Sequence, residues 1–365
     1  MINFSDIIAT VPQSLLVESK IQHLKELESD LLFSISLKKD EILRAKRQYF
    51  SANSLKNIVV IQNHTNLGHL SKHLLDHRIN FISADALKTQ HIDNNLTASL
   101  NDSLVIMTNN LFSEIGTSRL CSLYENTPNT IYAVHDYDNH HWIQNSVQIA
   151  IFADIYFPAH QEDLALSGRL NPNVIGGIPC GSNQWEIDFL KNNKTSILNT
   201  PRSNEPLGKY YFYEKFIHRN KTIATLSALY PSINITTNDF HHLTDEQKLK
   251  EWASHKLHWI IPVLNDLPIR FFDALITGGL PLVPRSLISS LKNLQVPNEF
   301  YATYSPLDIV EPALFIKKQL EKFDLEGAEG IERRFNFGVE NFHIDRLCAQ
   351  MLNSCRAIYE MKTSA

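Results

Sequence analysis

The sequence predicts an α/β protein with two doubly wound domains and a helical extension at its N-terminus. Short apolar segments alternate with amphipathic helical segments, and unbroken apolar segments of this length are typical of strands buried on both faces. Their alternation with helices predicts parallel sheets joined by right-handed crossovers. The chain has 365 residues, which exceeds the usual size of one hydrophobic core. We therefore expect two Rossmann-like domains.

The first 50 residues are predicted to form the helical extension. Apolar residues recur there at steps of three and four positions, which is the spacing of an amphipathic helix. The end of this stretch, LKKDEILRAKRQYF, is basic. Both a solvated helix face and a peripheral contact with a membrane surface fit this pattern. Neither a signal peptide nor 18 consecutive apolar residues are present, so we expect a cytoplasmic protein.

Residues 51–190 are predicted to form the first domain and residues 191–365 the second. The stretch from Gly181 to Gly208 is rich in Asn, Ser and Pro, which is typical of a domain junction. Thr244, followed three residues later by Gln247, predicts a capping box at a helix start in the second domain. The predicted strands are 57–63, 79–84, 103–110, 130–138, 153–159, 173–179, 209–215, 232–237, 257–263, 280–284 and 299–304.

Composition excludes some classes of function. The net charge is −5, so the broad positive field that nucleic-acid binding needs is missing. The four cysteines contain no CxxC pair, and their wide spacing favours buried thiols in a reducing compartment over a disulfide framework. No nucleic-acid partner is expected.

The segment Val263–Pro284, VLNDLPIRFFDALITGGLPLVP, carries the strongest functional signal. It predicts a buried strand, a polar loop with Asn265 and Asp266, and a helix that begins near Ile269. An anion or a ribose can bind at such a helix start, where free N–H groups and the positive end of the dipole meet Arg270. An ordinary α/β turn is the alternative.

This segment resembles the donor-nucleotide motif of GT-B glycosyltransferases, particularly the bacterial group that includes spore-maturation-type transferases. The shared pattern is a small polar loop, Arg, two apolar residues, an acidic residue, Ala and a glycine turn before an apolar strand. The resemblance implies that Asp273 accepts hydrogen bonds from a ribose and that Gly278 and Gly279 belong to the donor site. Retaining members carry two Glu eight positions apart, where this chain has Asn265 and Asp273. Asn265 supplies no carboxylate, which departs from the retaining pattern.

Arg219 and Lys221 follow the first strand of the second domain, in FIHRNKTIATL. The GT-B resemblance implies basic groups at this place, against the donor diphosphate. A dianionic leaving group needs such charge in the transition state. Surface charges on a helix are the alternative interpretation.

The second concentration of polar residues is HDYDNHHW, residues 135–142, at the end of a predicted strand in the first domain. Such loops carry catalytic groups in α/β enzymes, and His135, Asp136 and Asp138 are candidates for the general base that deprotonates an acceptor hydroxyl. Metal binding and structural hydrogen bonding stay open as alternatives. The spacing of the His and Asp residues in this segment does not match a known metal-ligand pattern, so we expect no metal site.

Together these features predict a metal-independent glycosyltransferase, since no Asp-x-Asp motif is present. It would use a nucleotide-sugar donor, no further cofactor, and a glycan, lipid-linked or protein acceptor, in bacterial surface polysaccharide synthesis. The donor would lie mainly on the second domain and the acceptor on the first. Two alternatives are a sugar-nucleotide epimerase or hydrolase on the same fold and a non-catalytic glycan- or nucleotide-binding module. If turnover requires an added acceptor, the chain is a transferase rather than an epimerase or hydrolase. If any turnover occurs, it is not a non-catalytic binding module.

Overall fold

The computed structural model describes residues 30–62, 67–74, 77–89, 92, 94–140, 142–161, 164–236 and 243–360. The chain divides into two compact units. The first unit extends to Cys180 and resumes at Leu347, and the second unit is Gly181–Arg346. This division lies earlier than the predicted change at residue 190, and the end of the chain belongs to the first unit rather than the second. Among the described helices, none is both long and apolar enough to cross a membrane.

The first unit combines one sheet with seven helices in the part of the chain that is described up to Cys180. Its strands are β1 Asn57–Gln62, β2 His73–Leu74, β3 His77–Ser83, β4 Ser103–Thr108, β5 Ile131–Asp136 and β6 Ile155–Pro158. Its helices are α1 Asp30–Ala52, α2 Ala84–Thr89, α3 Asn94–Leu100, α4 Asn110–Ile115, α5 Thr117–Asn126, α6 Ile143–Phe152 and α7 Leu164–Leu170.

The sheet of the first unit has the strand order β2-β3-β1-β4-β5-β6. All neighbouring strands are parallel except β2 and β3. The parallel strands, numbered along the chain, thus follow the order 2-1-3-4-5, which is a doubly wound arrangement with its switch point between β1 and β4. Every residue of β4 and β5 is buried, as the unbroken apolar segments predicted.

Asp154 connects the N-terminal helix to the core of the first unit. Its carboxylate accepts hydrogen bonds from Lys46 Nζ at 2.6 Å, Tyr124 Oη at 2.5 Å and the Tyr132 amide at 2.8 Å. Lys39 Nζ lies 3.8 Å from the same carboxylate. Both lysines are buried, so one carboxylate faces two ammonium groups in the interior.

This arrangement bears on the basic helix end, for which a solvated face and a membrane contact are the two interpretations. Lys39 and Lys46 belong to this basic stretch, and burial makes both unavailable to solvent and to lipid. Of the five basic residues of this stretch, only Lys38, Arg44 and Arg47 are exposed. The helix therefore uses part of its charge to pack against the sheet. The predicted helix before residue 30 lies outside the described residues.

The described residues of the second unit form five short strands. They are β7 Gly208–Tyr210, β8 Ile233–Ile235, β9 Leu257–Trp259, β10 Leu280–Pro284 and β11 Ala302–Tyr304. Its helices are α8 Ile187–Asn192, α9 Lys194–Asn199, α10 Ile217–Ser227, α11 Asp245–Ala253, α12 Ile269–Ile276, α13 Ile288–Asn293, α14 Pro306–Val310, α15 Pro312–Phe342 and the start of α16 Ile344–Tyr359. From Leu347 onward, α16 belongs to the first unit.

These strands repeat the doubly wound order of the first unit. One sheet has the order β11-β10-β9 and the other pairs β7 with β8, all in parallel. A parallel bridge between Leu207 and His258 joins β7 to β9, so the order along both sheets is β11-β10-β9-β7-β8. This again corresponds to 2-1-3-4-5, with the switch point between β7 and β9. The predicted α/β fold class is confirmed.

Three predicted strands differ most from the structure. The segment 173–179 makes only a single bridge, between Val174 and Tyr156, because Gly176 and Gly177 turn the chain and Pro179 has no N–H to donate. The predicted strands 209–215 and 257–263 end at Tyr210 and Trp259. The residues beyond these ends form the loops of the candidate site.

Candidate functional site

Two loops of the second unit meet at its switch point. The first, residues 211–216, follows β7 and leads into α10; the second, residues 260–268, follows β9 and leads into α12. Loops on the two sides of a switch point diverge, and ligands of doubly wound sheets bind between them. The N-termini of both helices face this place with their positive dipole ends.

Arg219 and Arg270 lie on one aromatic ring at this switch point. The guanidinium carbon of Arg219 is 5.1 Å from the centre of the Tyr210 ring, and that of Arg270 is 5.2 Å from it. Arg219 Nη1 donates to the carbonyl of Tyr211 at 2.7 Å, and Arg270 Nε donates to the carbonyl of Lys209. Two cations are thus fixed side by side in front of β7 by backbone acceptors and cation–π contacts.

The charge of this pair is not compensated by an ion pair in the described part of the chain. Burial, and next the charge of Arg270, lower the pKa of Arg219, while Asp266 has the smallest influence, in the opposite direction. Arg219 Nε is buried and has no hydrogen-bond partner among the described residues. The two guanidinium groups repel each other, and Arg219 Nε still has a hydrogen bond to donate. A bound anion would reduce this repulsion and accept that hydrogen bond.

The loop after β9 holds a strained turn. Leu264 and Asn265 have φ of 54° and 92°, and the Asp266 amide donates to the carbonyl of Val263 at 3.0 Å. Two successive positive φ angles are costly for residues other than glycine, and such strain concentrates at functional sites. Asp266 stabilises the turn by accepting from the Val263 amide. Asn265 Oδ1 is buried without a hydrogen-bond partner in the described chain, so it offers an acceptor to a ligand.

Asp273 lies inside α12, three positions after Arg270, but its carboxylate is held by partners other than the arginine pair. It is fully buried, and its carboxylate accepts from Ser182 Oγ at 2.6 Å and from Gln184 Nε2. Burial raises its pKa to about 7. A ribose would have to displace both donors, so the structure gives this residue a different environment from the one that the resemblance implies.

Gly278 and Gly279 lie at the other end of α12 from Arg270. They end α12 in a Schellman motif, in which the Gly278 amide donates to Leu275 and the Gly279 amide donates to Ala274, both at 2.8 Å. Gly278 has φ of 74°, as the predicted left-handed cap requires. Because α12 runs antiparallel to the strands, its end lies at the amino ends of β9 and β10, opposite the switch point. The glycines shape the crossover rather than the anion site.

Lys221 does not join the pair either. It follows Arg219 by two positions on α10, which turns it about 200° around the helix axis. Arg219 is buried, whereas Lys221 is exposed. Of the eight predicted donor residues, the structure therefore brings together the two arginines and the loop with Asn265 and Asp266.

In the first unit, His135 and Asp136 are fully buried at the end of β5. His135 Nε2 pairs with the carbonyl of Ile178 at 3.1 Å, and burial lowers the pKa of the imidazole to about 4. Asp136 accepts from Tyr156 Oη at 2.7 Å, and burial raises the pKa of its carboxyl to about 6. Both side chains are enclosed by their own structural partners.

Asp138 is the accessible member of this group. Its side chain is half-buried, and Oδ2 accepts from Asn109 Nδ2 at 2.8 Å. Asn109 follows β4, and its Oδ1 accepts from the Tyr137 amide at 3.1 Å, so it sets the conformation of the whole loop. Burial raises the pKa of Asp138, which makes it a better proton acceptor than a free carboxylate.

Sequence reasoning missed Tyr210 and Asn109. Tyr210 was assigned to an apolar strand, although five aromatic residues among positions 210–216 are more than a three-residue strand can bury. Asn109 falls inside the predicted strand 103–110, whereas β4 ends at Thr108; the change from apolar to polar residues at this point is the signal that marks the strand end. His141 of the HDYDNHHW segment lies outside the described residues.

No protein-family model matches the sequence, and no characterised protein sequence is significantly similar to it. Solved structures resemble the fold weakly. HepE from Anabaena in complex with UDP-glucose is 12% identical, with a TM-score of 0.45, covering 77% of this chain and 86% of its own. Sucrose-phosphate synthase from Thermosynechococcus elongatus is 13% identical, with a TM-score of 0.48, covering 86% and 91%.

The catalytic domain of starch synthase IV from Arabidopsis thaliana, bound to ADP and acarbose, is 13% identical. Its TM-score is 0.41, and the match covers 73% of this chain and 74% of that one. Scores below 0.5 at such identities do not establish an activity for this chain. The α/β class rests on the strand order of both units instead.

Proposed function

We propose that the chain is a GT-B-type glycosyltransferase whose second unit binds the diphosphate of a nucleotide-sugar donor at the switch point between β7 and β9. The observation that carries this proposal is the pair Arg219 and Arg270, held on the Tyr210 ring without a carboxylate ion-pair partner among the described residues. A nucleoside diphosphate places two adjacent negative groups at such a position.

The chemistry of sugar transfer explains why two fixed cations are useful. When the bond between sugar and phosphate breaks, negative charge grows on the departing diphosphate, and guanidinium groups already in place stabilise it without reorganising. Arginine also donates in a planar fork that matches phosphate oxygens. This role needs no metal ion, so we expect transfer to survive an excess of EDTA.

Asn265 and Asp138 complete the proposal. The Asn265 carboxamide would accept a hydrogen bond from a donor hydroxyl, because its Oδ1 has no partner in the described chain. It has no carboxylate to act as a nucleophile, which favours an inverting reaction. Such a reaction needs a base for the acceptor hydroxyl, and Asp138 is the accessible candidate. The acceptor as a glycan, lipid-linked or protein hydroxyl, and the role in bacterial surface polysaccharide synthesis, rest on the resemblance of the 263–284 segment alone.

The test is calorimetric titration of the full chain with UDP, GDP and ADP, comparing Arg219→Met and Arg270→Met with the wild type. Loss of one charged hydrogen bond should weaken nucleoside diphosphate binding by about 10–100-fold. Lys221→Met is the matched control, since it removes a cation from the same helix outside the pair. Equal weakening by all three substitutions, or binding of none of the nucleotides, would refute the assignment.

Asn265 also supports a second candidate, a non-catalytic module that binds nucleotides or glycans. Such a module would keep the arginine-dependent binding but would release no nucleoside diphosphate from any nucleotide sugar. Turnover that requires an added acceptor excludes it. Release of the diphosphate without an acceptor would identify a hydrolase instead.

A further inference from the structure

The last residue of the HDYDNHHW segment, Trp142, is exposed to solvent. It is 53% exposed, whereas the other three tryptophans of the chain, Trp185, Trp252 and Trp259, are at most 3% exposed. Aromatic side chains bury large areas when they pack, so a tryptophan kept in contact with water forgoes a large stabilisation. Neither the arginine pair nor Asp138 accounts for this exposure.

Trp142 also occupies a helix position that favours other residue types. It is the N-cap of α6, where Ser, Thr, Asp and Asn are preferred because their side-chain oxygen accepts from an amide of the first turn. The indole N–H is only a donor, and accordingly the Trp142 side chain makes no capping bond. The helix thus lacks the stabilisation that a capping residue would provide. Residues that break a local rule in this way concentrate at functional sites.

Trp142 lies one turn from Asp138, the candidate base for the acceptor hydroxyl. The Trp142 amide donates to the carbonyl of Asp138 at 3.0 Å, and a bond between residues four positions apart closes a single turn. Gln144 and Asn145 follow in the first turn of α6, and both are half-buried. Carboxamides both donate and accept hydrogen bonds, as sugar hydroxyls do. The turn and the helix start therefore combine a base, an exposed indole ring and two carboxamides.

The composition of the neighbouring loops disfavours a phosphorylated ligand. No Lys or Arg occurs from Ser103 to Ser118 or from Ile131 to Gly168, the stretches that contain the loops after β4 and β5. Lys and Arg are the side chains that recognise phosphate groups. A lipid diphosphate or a phosphopeptide would find neither of them in these loops, whereas a neutral ligand needs neither.

We propose that Trp142 binds a neutral carbohydrate acceptor by stacking on one face of a sugar ring, next to Asp138. The C–H groups on one face of a pyranose are apolar and slightly positive, and they match the face of an indole, which is slightly negative. Gln144 and Asn145 would bind the hydroxyls at the edge of the sugar ring. The inference rests on the proposed function in taking Asp138 as the base. It narrows the acceptor from a glycan, lipid-linked or protein hydroxyl to a hydroxyl of a glycan.

The first experiment measures carbohydrate binding without a nucleotide. An array of neutral oligosaccharides identifies one that the full chain binds, and tryptophan fluorescence then locates the binding site. Because the other three tryptophans are buried, acrylamide should quench Trp142 preferentially, and the bound oligosaccharide should protect it. Trp142→Phe should abolish this quenching, which verifies its assignment to Trp142.

Calorimetric titration with the same oligosaccharide compares the variants. Trp142→Ala should weaken binding about tenfold or more, whereas Trp142→Phe keeps an aromatic face and should stay within about threefold of the wild type. Leu37→Ala is the matched control, because it shortens an apolar residue of the first unit that is 46% exposed, and it should bind as the wild type does. In turnover assays, Trp142→Ala should raise KM for the oligosaccharide and leave kcat almost unchanged.

The outcomes separate this inference from the proposed function. Oligosaccharide binding that requires Trp142, in a chain that binds no nucleoside diphosphate, would support the carbohydrate site and refute the donor site. Nucleotide binding without protection of Trp142 by any oligosaccharide of the array would overturn the carbohydrate site and leave the donor site intact. Equal weakening by Trp142→Ala and Leu37→Ala would also overturn it. So would protection of Trp142 by lipid vesicles or by peptides but by no oligosaccharide.

Discussion

Removal of the buried ammonium of Lys39 should change how the stability of the first unit depends on pH. Burial lowers the pKa of Lys39 from 10.5 to about 7, with Asp154 opposing that effect and Lys46 adding to it. The groups around Lys39 include the carboxylate of Asp154, the ammonium of Lys46, the ring of Tyr124 and the carbonyl of Phe152. Lys39→Met keeps the length of the apolar stem and deletes the charge.

The sign follows from the direction of this shift. The unfolded chain holds the Lys39 proton up to pH 10.5, whereas the folded chain releases it near pH 7, so the unfolded state binds more protons between these values. Stability therefore rises with pH across this window, by at most about 1.4 kcal/mol per pH unit. Between pH 7 and pH 9 the gain is about 2 kcal/mol, because the transition near pH 7 is incomplete.

The assay is urea unfolding of the full chain at pH 7, 8 and 9, with pulsed hydrogen exchange of peptides from β5 to assign the transition of the first unit. The wild type should gain the stated stability, and Lys39→Met should show a slope smaller by that amount. Lys38→Met, which removes the neighbouring exposed cation, is the control and should keep the wild-type slope. Identical slopes for wild type and Lys39→Met would refute the neutralisation of Lys39.

Three further outcomes are expected. As pH rises from 4 to 7, the Asp273 carboxyl should lower the free energy of unfolding of the wild type, because its pKa is raised to about 7 in the folded chain and its protonated form is favoured there. Asp273→Asn should reduce this decline. Urea titrations at pH 4 and pH 7 measure the effect, and an unchanged decline would count against the buried environment of Asp273. Gly279→Ala should destabilise the second unit by about 2 kcal/mol or more, since its Cβ would overlap the buried His258 ring. Gly116→Ala is the comparison, because its Cβ would meet open space and the only cost is the strain of its positive φ. Thermal unfolding of both variants measures the difference. Asp138→Asn should reduce turnover of a nucleotide sugar and acceptor by about 10²–10⁴-fold while the calorimetric affinity for nucleoside diphosphate stays unchanged, and a normal rate would leave Asp138 with a structural role.

The fold was predictable where burial is two-sided. Strands such as Leu104–Met107 are continuous apolar segments because both faces of the sheet are covered, and this pattern needs no knowledge of the partners. Local features were predictable as well, because each depends only on residues that are adjacent in sequence. They are the helix start at Ile269, the capping box at Thr244 and the left-handed Gly278.

The site was predictable only in part, because it depends on which face of an element a side chain occupies. Arg219 and Lys221 are two positions apart on one helix, and only the packing of α10 against the sheet turns one inward and the other outward. Asp273 resembles a ligand-binding residue in sequence, but Ser182 and Gln184, which are distant along the chain, occupy its carboxylate. The carboxylate of Asp138 is likewise held by Asn109, which follows another strand and is distant along the chain.

The return of α16 to the first unit has a consequence for synthesis on the ribosome. Phe50 of α1 packs edge to face on Tyr359 of α16, with ring centres 6.3 Å apart, so the first unit needs the last described turn of the chain. The second unit lies between these residues in sequence and emerges complete before them. At about 5–20 residues per second, the N-terminal part waits roughly 10–40 s for its last helix. During that interval the N-terminal part lacks the packing partner of Phe50, and the domain that is second in sequence is the first able to finish folding.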